Sequence, residues 1–197
     1  MAENDQNMNN QSTSNQKLLN KAKNIRLLLL DVDGVLTDGR LYYGNNGEEL
    51  KAFNIQDGLG IKLLQRNGIQ VGIITGRSSE LLARRASELG IELVIQGRED
   101  KLTALNEILE DTQQVIKGDN QTSYKMEQIA FLGDDLPDLA VIRRVGLGVA
   151  VANATSFVVE NAYWQTSTKG GDGAVRELAE MLLQAQGKLE SIHSSYL

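Results

Sequence analysis

An α/β fold built on a mainly parallel sheet is the architecture that this 197-residue sequence predicts. Three observations predict it. Short continuous apolar runs recur along the chain, most are followed by a helical pattern, and the runs end on turn-forming or polar residues. Apolar runs of this length suit strands buried on both faces, and strands alternating with helices pack into a parallel sheet.

The elements follow in chain order. Residues 1–17 are rich in Asn, Gln and Ser and read as a disordered tail. They show no basic start followed by an apolar run, so no secretory signal is expected. The run at 25–30 reads as the first strand and ends at Asp31. The stretch 40–53 breaks the alternation. Leu41, Tyr42 and Tyr43 on one side and residues 48–53 on the other flank Asn45-Asn46-Gly47, and Asn-Gly between extended runs is the strongest short hairpin signal. A second strand at 70–74 ends at Thr75-Gly76. Leu81, Leu82 and Leu89 share one face of a helix at 79–89, with Ser78 or Ser79 as its cap. A third strand at 92–95 precedes a helix at 101–111, whose apolar face carries Leu102, Leu105, Ile108 and Leu109. The polar stretch 117–126 reads as a surface loop. A fourth strand at 128–132 ends at Gly133-Asp134. Pro137 lies one turn into the next segment, where a first helical turn tolerates it. A fifth strand at 148–151, an edge strand at 162–164 and a helix at 173–186 complete one domain over 18–187. Residues 188–197 read as a flexible tail that holds the single histidine, His193.

Composition narrows the chemistry. The apolar content, 41%, is that of a chain with a real core. With no cysteine, disulfides, thiolate catalysis and zinc–cysteine sites are excluded. A net charge of −6 argues against nucleic acid as a partner. No apolar run is long enough to span a bilayer, so no membrane partner is expected, and the cytoplasm is the default location.

In a parallel α/β sheet, ligands bind beyond the carboxyl ends of the strands. Those ends carry Asp31-Val32-Asp33-Gly34, Thr75-Gly76-Arg77 and Gly133-Asp134-Asp135-Leu136-Pro137-Asp138, and Lys101 opens the helix after the third strand. Five carboxylates on one edge repel one another, and a hard cation resolves this. An oxygen-only ligand set points to magnesium. Asp31 is then a nucleophile, and the metal offsets its repulsion from a phosphate dianion. Asp33, two residues on, can give a proton to the leaving oxygen and later take one from water. Thr75 can donate to a phosphoryl oxygen, and Lys101 can neutralise the charge developing there. Singly, each residue has a plainer reading. An Asp-x-Asp is common in turns, Asp134 and Asp135 can cap a helix, and a lone lysine is usually solvated. The joint placement of four segments, in order, at strand ends or helix starts is what carries the argument.

These four segments resemble the four motifs of the haloacid dehalogenase (HAD) superfamily of phosphatases. The resemblance extends over 26–189, through 31–38, 44–54, Asp57-Gly58, 73–77, 133–136, 173–177 and 185–189. It implies a three-layer Rossmann-like sandwich with a small hairpin flap. The space between the second and third strands is too short for a cap domain. It also implies an aspartyl-phosphate intermediate on Asp31, with Asp33, Thr75 and Lys101 as the other catalytic groups. Magnesium would be held by Asp31, Asp33 and Asp134, with Asp135 and Asp138 in support. Substrate contacts are implied at Asn54, Asp57, Gly58, Gly76, Arg77 and Arg85. The branch it resembles acts on the phosphate monoester of an eight-carbon sugar acid in lipopolysaccharide precursor synthesis, as a homotetramer. A nine-carbon sialic-type substrate, or a non-catalytic sugar-phosphate sensor, stays open as an alternative. Gln56, Lys62 and Asp172 depart from the arginines usual at those places. Arg84 and Arg85 are neighbours on one helix, and only one of them need face the site.

Overall fold

The computed structural model describes residues 15–45, 49–114 and 123–197. Six strands form one sheet: β1 (Leu27–Leu30), β4 (Gln70–Ile74), β5 (Leu93–Ile95), β6 (Ile129–Gly133), β7 (Leu147–Ala150) and β8 (Trp164–Gln165). Their order across the sheet is β5-β4-β1-β6-β7-β8, and every pairing is parallel. The sheet is thus parallel throughout. The two remaining strands, β2 (Tyr42–Tyr43) and β3 (Glu49–Leu50), pair antiparallel with each other as the expected hairpin. Its Asn46-Gly47 turn lies outside the described residues, as does most of the loop at 117–126.

The four leucines of β1 are all buried, because the strand is covered on both faces. Leu28 and Leu30 pack with α1 (15–22), α2 (Ile55–Arg66), α3 (Glu80–Leu89) and α7 (Ala174–Ala185). Leu27 and Leu29 pack with α4 (Lys101–Gln114), α5 (Leu139–Ile142) and α6 (Ser156–Asn161). The period of two along the strand therefore divides the core into the two helix layers of a three-layer sandwich. No cap domain interrupts the described chain. Among the described residues no helix is long and apolar enough to cross a membrane.

The structure differs from the sequence reading at several elements, α6 among them, for which no helix was expected. Helix α1 begins inside the stretch expected to be a tail, and its Leu18 and Ala22 are buried in the core. Residues 1–14 lie outside the described part. At the other end, the expected flexible tail contains α8 (Leu189–Ser194), with Leu189 and Ile192 against the core. An apolar pair three residues apart on a single helical turn is enough to dock it. Helix α2 carried too weak a pattern to be anticipated, since Gly58 and Gly60 lower its propensity. Those glycines have a packing reason. A Cβ at Gly60 would lie 3.1 Å from Arg176 Cα, so its absence lets α2 and α7 approach closely. Ser79 does stand at the N-cap position of α3, yet its side chain makes no capping bond; its N–H donates to Gln96 Oε1 instead.

Candidate active site

Strand order reverses between β1 and β6. The chain runs outward from β1 through β4 to β5, then returns to the other side of β1 for β6. The carboxyl ends of β1 and β6 therefore open onto the crevice where a parallel sheet of this kind binds its ligand. Asp31 leaves β1, and its N–H still donates to Leu132 of β6. The chain then turns tightly, with the carbonyl of Val32 accepting from the N–H groups of Val35, Leu36 and Thr37. Gly34 makes that turn possible. Its φ is 98°, and a Cβ there would stand 2.1 Å from Asp134 Oδ2 at the end of β6.

Lys101, the first residue of α4, joins the two strand ends. Its side chain is 4% exposed, and Nζ donates to Asp31 Oδ1 and to Asp138 Oδ1, each at 2.6 Å. Burial alone would push the Lys101 ammonium down; Asp31 and Asp138 outweigh that and raise it. Asp138 uses its other oxygen to accept from the N–H groups of Asp134 and Asp135 at 2.9 and 3.3 Å. It thereby holds the turn after β6 in place. Asp135 caps the following helical turn through Leu136 N–H at 2.8 Å, the plainer of its two readings.

Asp31, Asp134 and Asp138 each bring an oxygen within 4.8 Å of the others. The charge this accumulates is visible in their acidities. Burial, then Asp138, raises Asp31 to about 6 against the pull of Lys101. Burial, then the charges of Asp31, Asp138 and Asp135, raises Asp134 to about 8. One ammonium is too little for three converging carboxylates, and an all-oxygen donor set with excess negative charge fits a hard divalent cation. Asp138 is already committed to Lys101 and two backbone amides, so Asp31 and Asp134 are the side chains placed to hold such an ion. Asp33, also expected among the ligands, is outside this cluster. Its carboxylate turns instead to Lys51 Nζ, 2.5 Å from Oδ1, and to Arg77 Nε, 3.7 Å from Oδ2.

Thr75 is 2% exposed at the end of β4, and its Oγ1 accepts from Arg77 N–H at 3.3 Å across Gly76. The remaining expected substrate contacts gather elsewhere. Asn54, Asp57, Gly58 and Arg85 line a small cavity with Leu36 and Phe53, apart from the carboxylate cluster. Asn54 caps α2 through Gln56 N–H at 2.7 Å and donates to the carbonyl of Gly171. Asp57 Oδ1 accepts from Arg176 N–H at the start of α7, while its Oδ2 is buried without a partner. Burial raises Asp57 to about 6, the backbone amides of α7 only partly opposing it. Of the arginine pair, Arg85 faces inward: its side chain is 22% exposed against 79% for Arg84. Its guanidinium reaches to 2.5 Å from where a Gly58 Cβ would stand, which explains the glycine.

The sequence reading missed Lys51 as a site residue. A lysine on a hairpin arm ordinarily reads as solvated, and only period-two alternation with Leu50 hints that it points inward. It also missed the loop before α7. Glu177 accepts from Ser167 and Thr168 N–H, and Asn153 from Gly170 N–H, which press Gly170 against the carbonyl of Gly34.

Comparison with known proteins agrees with this geometry. A haloacid dehalogenase-like hydrolase profile matches residues 100–178. The 3-deoxy-D-manno-octulosonate 8-phosphate phosphatase of Yersinia pestis is 49% identical over 173 residues, which are 88% of this chain and 87% of that protein. The chain belongs to the 3-deoxy-D-manno-octulosonate 8-phosphate phosphatase family of haloacid dehalogenase-like hydrolases. The family's Escherichia coli K12 member is 49% identical over 170 residues, 86% of this chain and 85% of that one. Another member, from Moraxella catarrhalis, was crystallised with a magnesium ion, a phosphate ion and a molecule of the sugar acid; it matches at 41% identity and a TM-score of 0.85, over 91% of this chain and 98% of that one.

Proposed function

We propose that this protein is a magnesium-dependent phosphomonoesterase that hydrolyses 3-deoxy-D-manno-octulosonate 8-phosphate through an aspartyl-phosphate on Asp31. The observation that carries the reading is the buried Lys101 bridge between Asp31 and Asp138, with Asp134 beside it, at the strand-order reversal. Family membership supplies the substrate class, and the magnesium, phosphate and sugar acid bound to the Moraxella catarrhalis relative support the ligand set.

Asp31 and Asp134 would hold the ion. When bound, it offsets the repulsion between a carboxylate nucleophile and a phosphate dianion. Asp31, at about 6, is ionised at neutral pH and can attack phosphorus. As the new Asp31–phosphorus bond forms, the bond to the sugar oxygen breaks, and Asp33 passes its proton to that oxygen. Asp33, now ionised, takes a proton from the water that attacks phosphorus, and the Asp31–phosphate bond breaks to free phosphate. Lys101 and Thr75 stabilise the phosphoryl oxygens. Gly76, Arg77, Arg85, Asn54, Asp57 and Gly58 contact or shape the sugar side, and a planar guanidinium suits the carboxylate of a sugar acid. We further propose a homotetramer in which the hairpin meets a second copy of the chain.

The test is phosphate release, with and without magnesium, from the eight-carbon sugar acid phosphate and a nine-carbon sialic-type analogue at equal concentration. Release from the first, dependent on magnesium, is expected. Equal activity on both would remove the substrate assignment, and undiminished release after exhaustive chelation would remove the metal.

A further inference from the structure

The hairpin brings one cation to the centre of the chemistry. Leu50, the last residue of β3, is 67% exposed, while the side chain of its neighbour Lys51 is 3% exposed. Successive side chains of an extended arm point to opposite sides, so the hairpin turns an apolar residue outward and an ammonium inward. An ammonium withdrawn from water is unfavourable unless a charge meets it. Lys51 Nζ meets Asp33 Oδ1 at 2.5 Å. The second oxygen of Asp33 faces a looser cation, Arg77 Nε at 3.7 Å, on a side chain that is 43% exposed.

We infer that Lys51 is a positioning residue: it grips one oxygen of Asp33 so that the other is presented for proton transfer. This rests on the hydrolytic reading above. A carboxyl group on a turn rotates freely about its last torsion. A short charge-assisted bond to one oxygen removes that freedom and leaves the second oxygen in a defined direction. Oδ1 is the gripped atom, and Oδ2 is the oxygen left to exchange a proton. In the first half-reaction the Oδ2 proton passes to the sugar oxygen as its bond to phosphorus breaks. In the second, Oδ2 receives the proton of the attacking water. Lys51 transfers no proton itself; it meets the negative charge that Asp33 gains as the proton leaves and holds that carboxylate until the water's proton returns. The hairpin thereby becomes part of the proton-transfer apparatus as well as a surface element.

Leaving groups separate this role from a structural one. A sugar or alkyl oxygen departs as a strong base and needs the proton, whereas 4-nitrophenolate departs without one. Single-turnover formation of the phosphoenzyme is measured for wild type, Lys51→Met and Lys51→Arg, on the sugar acid phosphate and on 4-nitrophenyl phosphate, with magnesium. Lys51→Met is expected to slow the sugar acid phosphate by about 100-fold, within the range of general acid catalysis, and 4-nitrophenyl phosphate by less than about threefold. Lys51→Arg, which keeps a donor, is expected to recover part of the loss. Equal slowing on both substrates, or none on either, would overturn the inference. If Lys51→Met does not fold, Lys51→Leu, which also lacks a donor, is measured in its place against the same two outcomes. Failure of the hydrolytic reading looks different: wild type itself would then show no magnesium-dependent release from the sugar acid phosphate.

Discussion

Asp31 stands where burial, a neighbouring carboxylate and a buried ammonium all act on one side chain, and the balance leaves it ionised near neutrality at about 6. Replacing it with the nearly isosteric asparagine keeps the packing and removes the nucleophile. Asp31→Asn is expected to retain the wild-type unfolding midpoint and to lose at least about 1000-fold in phosphate release. Asp134, at about 8, is the group whose proton a metal must displace. Asp134→Ala is accordingly expected to raise the magnesium concentration for half-maximal activity by about tenfold or more, and to shrink the magnesium-induced rise in Tm, read by calorimetry. Asp57 makes a different prediction because it is buried away from the carboxylate cluster. Burial raises its pKa from 3.8 to about 6, so its contribution to stability is complete below about pH 3.8 and is lost as pH climbs through 6. Asp57→Asn has no charge to bury. It is expected to gain on wild type by up to about 3 kcal/mol between pH 4 and pH 8, in urea titrations at the two values.

At the scale of elements, the loop between β8 and α7 is the wall of the nucleophile turn. Gly170 leaves no room for a side chain: a Cβ there would lie 1.7 Å from the carbonyl of Gly34. Gly170→Ala must move either that loop or the turn carrying Asp31 and Asp33. Displacing reacting groups by about an ångström costs on the order of 100-fold in rate. Gly170→Ala is therefore expected to lower phosphate release by roughly that factor, out of proportion to any fall in Tm. Helix α7 shows the opposite balance. Leu182 is fully buried between α7 and the sheet, with no polar role. Leu182→Ala is expected to cost about 2–5 kcal/mol in urea unfolding, with activity per folded molecule retained.

For the whole molecule, the proposal of an assembly rests on the hairpin and the start of α2. A two-stranded ribbon is marginal in water without a surface to pack on. Here Tyr43 and Leu50 on the hairpin and Ile55 at the start of α2 are 68%, 67% and 82% exposed. A second copy of the chain is the surface proposed for them. Sedimentation velocity is expected to show an assembly larger than a monomer. The double substitution Tyr43→Ser with Leu50→Ser is expected to shift it toward monomer and to lower turnover together. A folded, fully active monomer at assay concentration would contradict the proposal.

What the sequence by itself determined is what depends on local pattern. Buried strands write themselves as continuous apolar runs, so β1, β4, β6 and β7 could be read to within a residue or two, and 70–74 as observed; the half-buried β5 and the edge strand β8 were placed as closely by their position in the strand–helix alternation. The nucleophile turn, Thr75, Lys101 and the aspartates after β6 were legible because each sits at the end of such a run or the start of a helix. Tertiary structure decided what depends on contact between distant segments. Helix α2 is stabilised by its fit against α7 rather than by its own propensity, and α1 and α8 by a few apolar residues docking on a core that no short window reveals. The partner of Asp33 is Lys51, 18 residues away on a hairpin arm, rather than the metal cluster. Asn54 and Asp57 meet Gly171 and the start of α7, contacts between segments more than a hundred residues apart that no local pattern announces. A side chain's type shows what it can bind. Which of several oppositely charged groups it meets is set by where the fold places them, since a buried charge pairs with whatever counter-charge is within reach.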